Sequence, residues 1–282
     1  MDAKLPLYSH SVTLDVAKCR GCTNCIKRCP TEAIRVRKGH AAITEYRCID
    51  CGECIRNCPY GAKKAVTDPL SSINSFDWKI ALPAPALYGQ FDEFRSIDQI
   101  LSGLLQLGFD QVFEVALAAE MVADAVKARI DGGSIAKPVI SSSCPAVLHL
   151  IQIRYPSLIP HVAPVLAPME VAARLARRIA GTDKGSVGVF FISPCAAKMT
   201  DVRSPLGSSH SAVDGVIAIK DIFLPLRAAM SKVEVRPLSK AGSRGVAWAR
   251  VDGESDAVGE RLRISVDGIA NVIQVLEAVE NG

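Results

Sequence analysis

The chain has 282 residues, 49% of them hydrophobic, and a formal net charge of +4. That length suits one large domain plus a small one with a real core, and no run reaches the roughly 18 apolar residues of a membrane span. The opening stretch MDAKLPLYSHSVTLD lacks the apolar centre and cleavage site of a secretory signal, so a cytoplasmic protein with reduced thiols is expected and a disulfide framework is not.

The first unit, expected over 1–66, is an internal repeat. Cys19, Cys22, Cys25 and Cys29 read C-x2-C-x2-C-x3-C and are followed by proline; Cys48, Cys51, Cys54 and Cys58 read the same. The offset is 29 residues, and it also carries Ile26 onto Ile55 and Lys27 onto Arg56. Zinc sites favour C-x2-C pairs a dozen or more residues apart. Three cysteines at consecutive x2 steps, then x3 and proline, are the ligand pattern of four-iron clusters. The segment is too short for a conventional core, and metal is expected to hold it together. In two-cluster ferredoxins, which the repeat resembles, the fourth cysteine of each run reaches across to the other cluster. On that pattern cluster I takes Cys19, Cys22, Cys25 and Cys58, and cluster II takes Cys48, Cys51, Cys54 and Cys29. An α+β ferredoxin-like fold follows. Residues 1–66 hold 12 Lys/Arg against 6 Asp/Glu. Anionic clusters account for most of that surplus, so a nucleic-acid partner is not required, and the basic residues should raise the cluster potentials somewhat.

A polar run, Thr67–Asp77, reads as a linker, placed at 67–78. Beyond it, 79–282 alternates strand and helix. KIALPA reads as a strand, Asp98–Gly108 as a helix, FDQVFEVA as a strand and AAEMVADAVKARI as a helix. PVIS is then expected to be a strand before a helix from Pro145. A helix over Met169–Ile179, strand VGVFFIS, and strand GVIAI leading into a helix follow. The tail ISVDGIANVIQVLEAVENG reads as strand, turn and amphipathic helix. Alternation of this kind implies a parallel sheet covered by helices.

The last two of the ten cysteines, Cys144 in KPVISSSCPAVLHL and Cys195 in VGVFFISPCAAK, stand alone. Each is expected where a strand gives way to a helix, the usual place for a site in parallel α/β structures, with backbone N–H groups and the helix dipole favouring an anion. The competing reading is a small buried hydrophobe. His10, His40, His149, His161 and His210 show no metal spacing. His149 lies about one turn along the helix from Cys144, where it could approach the same cleft, although a surface or core histidine is the simpler reading. Glu170 sits near a helix start, where a carboxylate is stabilised without a catalytic role. LGSSHS reads as a loop. No phosphate loop or dinucleotide fingerprint occurs.

SSSCPAV and SPCAAK resemble the first two signature motifs of the [FeFe]-hydrogenase catalytic domain. KIALPAPALYGQF, LLQLGFDQVFEVALAAE, RYPSLIPHVAPVLAPMEVAARLA and VDGIANVIQVLEAVENG fit the same domain in order. The resemblance covers nearly the whole chain and is nearest to short regulatory or sensory members. It implies an α/β domain in two lobes, with Cys144 and Cys195 as ligands of a third cluster, either a four-iron or a hydrogenase-type centre. Lys198 matches the family lysine that contacts the cluster's diatomic ligands; its simpler reading is a first-turn helix lysine. Three departures stand out. Ser143 occupies the place of a proton-relaying cysteine, and a hydroxyl relays protons poorly at neutral pH. The third motif, which supplies two more ligands and should follow VENG, does not occur, so the domain reads as C-terminally incomplete. The stretch after Cys195 is also shorter than in catalytic members, implying a reduced lobe.

These readings converge on an iron–sulfur redox protein of anaerobic metabolism. In it, two ferredoxin clusters exchange electrons with a hydrogenase-like domain that senses or relays redox state or hydrogen. A catalytic hydrogenase, with Lys198 and Ser143 as candidate catalytic residues, and a non-catalytic binding scaffold are the alternatives. The expected partner is a redox protein, either a ferredoxin-like donor or a signalling or oxidoreductase subunit, with no nucleic acid and no membrane span.

Overall fold

The computed structural model describes residues 10–91 and 96–282. Residues 1–9, where most of the signal-peptide reading and the start of the expected ferredoxin unit fall, lie outside the described residues.

The repeat in the sequence is a repeat in the backbone. Strands β1 (Val12–Leu14), β2 (Ile34–Arg37), β3 (His40–Ile43) and β4 (Lys63–Ala65) and the one-turn helices α1 (Asn24–Lys27) and α2 (Glu53–Arg56) make two halves. β1 pairs antiparallel with β4, and β2 with β3. The 29-residue offset maps β1 towards β3 and β2 onto β4, so each half lends one strand to each pair. Left-handed backbone recurs at the same offset: Gly21 and Asp50, Thr23 and Gly52, Glu32 and Gly61 all have positive φ. Gly21 also lies so near the Gly39 carbonyl that a Cβ would come within 2.6 Å of its oxygen.

The segment read as a linker is tied to the larger unit. Leu70–Ser75 forms a 3-10 helix with Ile73 in the core. The Asp68 carboxylate accepts from the Val216 amide at 2.8 Å. Linker-like composition therefore describes a surface crossover here, because its few apolar residues are turned inward.

The larger unit is built on four parallel strands in the order β6-β5-β7-β8: β5 (Trp78–Pro83), β6 (Gln111–Val112), β7 (Val187–Ser193) and β8 (Gly215–Ala218). β7 reads VGVFFIS and is almost wholly buried, as a strand covered on both faces must be. Its residues alternate between two cores. Val189 and Phe191 face helices α4 (Val115–Asp131) and α6 (Pro168–Ala180). Phe190 and Ile192 face α3 (Ile97–Gln106) and α8 (Ile219–Met230). Local signals set the helix ends: Ser96 caps α3 through the Gln99 amide, and α6 starts on Pro168 and stops at Gly181 in positive φ.

The remaining helices are α5 (Pro145–Arg154), α7 (Ala196–Arg203), the short α9 (Ser243–Val246) and α10 (Gly253–Val258), and α11 (Ile269–Asn281). Three strand expectations shrink. FDQVFEVA keeps only β6, because α4 begins at Val115. PVIS supplies a single bridge, Ile140 to Val162, and the tail has no strand before α11. Each is a short apolar run, and whether such a run joins a ladder depends on its tertiary neighbours, a distinction that periodicity cannot make.

Candidate metal centres

Each half of the repeat winds three cysteines around a turn that contains left-handed residues, Gly21 and Thr23 in one and Asp50 and Gly52 in the other. The result is two cavities. One is lined by Cys19, Cys22, Cys25 and Cys58. The other is lined by Cys48, Cys51, Cys54 and Cys29. Sulfur acceptors are met by amides in matching positions: Ala33 N donates to Cys29 Sγ and Ala62 N to Cys58 Sγ, both at 3.2 Å, and Ala41 N donates to Cys19 Sγ at 3.4 Å.

Protonation states show what these cavities require. Burial pushes the Cys51 thiol up to about 11 and Cys54 to about 12. Cys48 is raised further by burial and by the Asp50 charge. At Cys58 burial also opposes ionisation, but the backbone N–H groups of Ala62, Lys63, Tyr60 and Gly61 together bring it below its usual value. Thiols this reluctant to ionise release their protons when metal binds. A further sign of fit is Lys63. It is buried at 3% exposure on the wall of the first cavity, and its Nζ has no hydrogen-bond partner in the protein. Clustered thiols, sulfur-directed amides and an orphaned ammonium suit an anionic iron–sulfur group.

The second cavity adjoins the larger unit. Asp50 accepts from the Ser11 and Val12 amides at 2.9 and 3.0 Å, and the Thr200 hydroxyl of α7 donates to it as well. The Ser11 hydroxyl donates to the Ala196 carbonyl at 2.8 Å. Ile49 and Cys51 pack on Leu150 and Ile151 of α5 and on Leu276 of α11. The cavity is thus held against the two helices that follow Cys144 and Cys195. In the first cavity Cys22 is exposed.

Cys144 and Cys195 occupy the N-cap positions of α5 and α7. Cys195 is half-buried at the end of β7, and Cys144 is exposed. Burial raises the Cys195 thiol, the nearby Cys144 charge adds to this, and Lys198 opposes it. Lys198 Nζ donates to the Ser143 carbonyl at 2.8 Å and lies 3.9 Å from Asp201, so it ties α7 to the loop before Cys144. The Ser143 hydroxyl donates to Glu254 of α10 at 2.9 Å, and Ser141 shares that carboxylate oxygen. Two thiols are half of what a four-iron cube takes, so the site is a cysteine pair bounded by Lys198 and Ser143.

His149 on α5 is half-buried, and its Nε2 atom is buried and unpartnered. Burial lowers its pKa, against the charges of Asp201 and Asp50. Glu170 accepts from Arg174, Ser211 and Ala212, bracing α6 to the loop before β8. His10 does approach a cysteine in space: donor atoms of His10, Cys48 and Asp50 lie within 4.8 Å of one another, a proximity with no sequence spacing to announce it. Asp50, Lys63, Thr200 and Glu254 were not singled out by motif. The first two were legible as places where the repeat breaks, since Gly21 maps onto Asp50 and Ile34 onto Lys63.

Residues 79–263 match the family described as the iron-only hydrogenase large subunit, C-terminal domain. The chain belongs to that family. Residues 11–59 match the 4Fe-4S dicluster domain, and iron–sulfur electron-transfer chemistry related to that of the hydrogenases follows from the two together. Among curated relatives, the periplasmic [Fe] hydrogenase large subunit of Nitratidesulfovibrio vulgaris is 30% identical over 78% of this chain and 58% of its own length. Iron hydrogenase 1 of Clostridium pasteurianum is 24% identical over 44% of this chain and 23% of its own. The chain therefore spans little more than half of the first relative. The solved apo [FeFe]-hydrogenase HydA1 of Chlamydomonas reinhardtii is similar at 20% identity and TM-score 0.47, covering 72% of this chain and 59% of that one. Among the described residues, no helix is long and apolar enough to cross a membrane.

Proposed function

We propose that this hydrogenase-family chain is a two-cluster iron–sulfur protein that passes electrons between a redox partner and its hydrogenase-like domain, in redox or hydrogen sensing or relay. Cys19, Cys22, Cys25 and Cys58 would hold one four-iron cluster, and Cys48, Cys51, Cys54 and Cys29 the other. Bound there, such clusters supply one-electron transfer. The observation that carries the reading is the clamp of the Ile49–Cys51 loop on α5 and α7. It holds the second cavity on the helices that Cys144 and Cys195 cap, and the exposure of Cys22 supports a first centre open to a partner. Ten unpaired cysteines suit a reducing, anaerobic cytoplasm. A third cluster at Cys144 and Cys195 would need two ligands from outside residues 1–282, since all ten cysteines are otherwise placed.

Iron analysis of anaerobically purified protein tests the core of this: about eight irons per chain are expected, and zinc in their place sinks it. The second reading is a catalytic hydrogenase, favoured by the 30% identity to a hydrogenase large subunit. Ser143 in place of a thiol proton relay weighs against it. Hydrogen evolution from a reduced dye, after supply of mature cofactor, separates the two. Sustained turnover overturns the sensing role.

A further inference from the structure

The two halves of the ferredoxin-like unit share their cysteine, proline and left-handed positions at the 29-residue offset, so a buried charge present at one cavity and missing from the other distinguishes the two centres. Two such charges are buried at the cavities, and their signs are opposite. Ile34, at 2% exposure, opens β2 and lines the second cavity; its counterpart, Lys63, at 3% exposure, opens β4 and lines the first. Gly21 lines the first cavity; its counterpart, Asp50, at 4% exposure, lines the second.

Burying an ammonium without a partner is strongly unfavourable. β4 could hold an isoleucine there, as β2 does. The lysine is tolerated only if something in the cavity takes its N–H groups, and an anionic cluster with sulfur acceptors does so. The ammonium lines the first cavity and not the second. Asp50 accepts two amides and a hydroxyl. It therefore stands as an acceptor-only anion beside the second cavity. A positive charge stabilises the added electron of a reduced cluster, and a negative charge destabilises it.

We infer that Lys63 and Asp50 build a potential difference into the pair, making the solvent-facing centre of Cys19, Cys22, Cys25 and Cys58 the higher-potential one and the centre beside the hydrogenase-like domain the lower. This rests on the two-cluster reading proposed above. The order favours drawing electrons outward from the hydrogenase-like domain. Lys63 is a tuning residue that donates to its cluster, and Asp50 tunes from the opposite side while also anchoring α7.

The test is an anaerobic redox titration of the full chain, followed by electron paramagnetic resonance, with iron content measured on every sample. Wild type should show two resolved midpoints. Lys63→Ile, which copies the twin half, should keep its iron and lower the upper midpoint by about 59 mV or more, a tenfold change in the one-electron equilibrium, with a smaller fall in the lower one. Lys63→Arg should restore most of it. Asp50→Asn should raise the lower midpoint and leave the upper one nearly in place. Exchangeable-proton couplings on the upper-potential signal should weaken in Lys63→Ile and persist in Lys63→Arg. Coincident midpoints in wild type, or shifts of the wrong sign or on the wrong centre, overturn the inference. Full iron content with those results leaves the two-cluster reading standing; iron far below eight per chain removes that reading first. If Lys63→Ile fails to load iron, Lys63→Gln replaces it with the same expected direction.

Discussion

The ammonium of Lys198 donates to the carbonyl of Ser143 at 2.8 Å. It joins the first turn of the helix capped by Cys195 to the loop that ends in Cys144. The two cysteines come from segments about fifty residues apart, and this bond holds their loops in register. Lys198 therefore has a structural task whatever else binds there.

Lys198→Met removes a charged donor from a mostly buried carbonyl and leaves Asp201 without its cation. A loss of about 1.5–3 kcal/mol is expected. It should appear as a lower denaturant midpoint at unchanged slope. An unchanged midpoint would mean that water replaces the ammonium without penalty.

Thr200→Val leaves the buried Asp50 carboxylate one donor short, at a cost of about 1–3 kcal/mol. Because the bond crosses between the two units, amide exchange at Ser11 and Val12 should quicken more than exchange in β7. Uniform acceleration would place the effect in global stability, against this account of the clamp.

The crossing of the fourth cysteines can be checked by loss. Cys58→Ala and Cys19→Ala should each remove about four irons and the same paramagnetic signal, and Cys29→Ala the other signal. Should Cys58→Ala and Cys48→Ala instead erase one common signal, each run of four would close on its own cluster.

His149 sets a pH dependence. Its folded pKa lies below the unfolded value of about 6.5, chiefly through burial, with Asp201 and Asp50 opposing. The unfolded chain then takes up a proton that the folded chain refuses. Its contribution to stability is full above about pH 6.5 and is lost as pH falls towards the folded value. His149→Leu should flatten the decline in denaturant midpoint between pH 7.5 and 6 relative to wild type. Parallel curves would show that His149 is not the group responsible.

Much of the fold was legible because it was written in local patterns. Ligand spacing announced the cysteine-rich repeat, and buried apolar runs announced β5, β7 and β8. The helices after Pro145 and Pro168 follow from N-terminal prolines and apolar spacing. PVIS and the start of the tail were read as strands and are not, because a short apolar run takes its conformation from its neighbours. The polar stretch before Trp78 has linker composition, and Asp68 and Ile73 tie it to the larger unit. At the cysteine pair, Ser143, Cys144, Cys195 and Lys198 stood out by motif, but Glu254 and Thr200 carry no local signature.

By itself the sequence determined the chemistry of the small unit, since thiolate number and spacing are properties of one short segment. It also determined the alternating architecture of the large unit, because hydrophobic period is local. Only the tertiary structure decided which cavity faces solvent and which is clamped on α5 and α7. It alone brought Lys198 to Ser143, and Asp50 to Thr200 across 150 residues. Those contacts depend on burial and on the pairing of polar groups that water can no longer serve, and no stretch of sequence contains both partners.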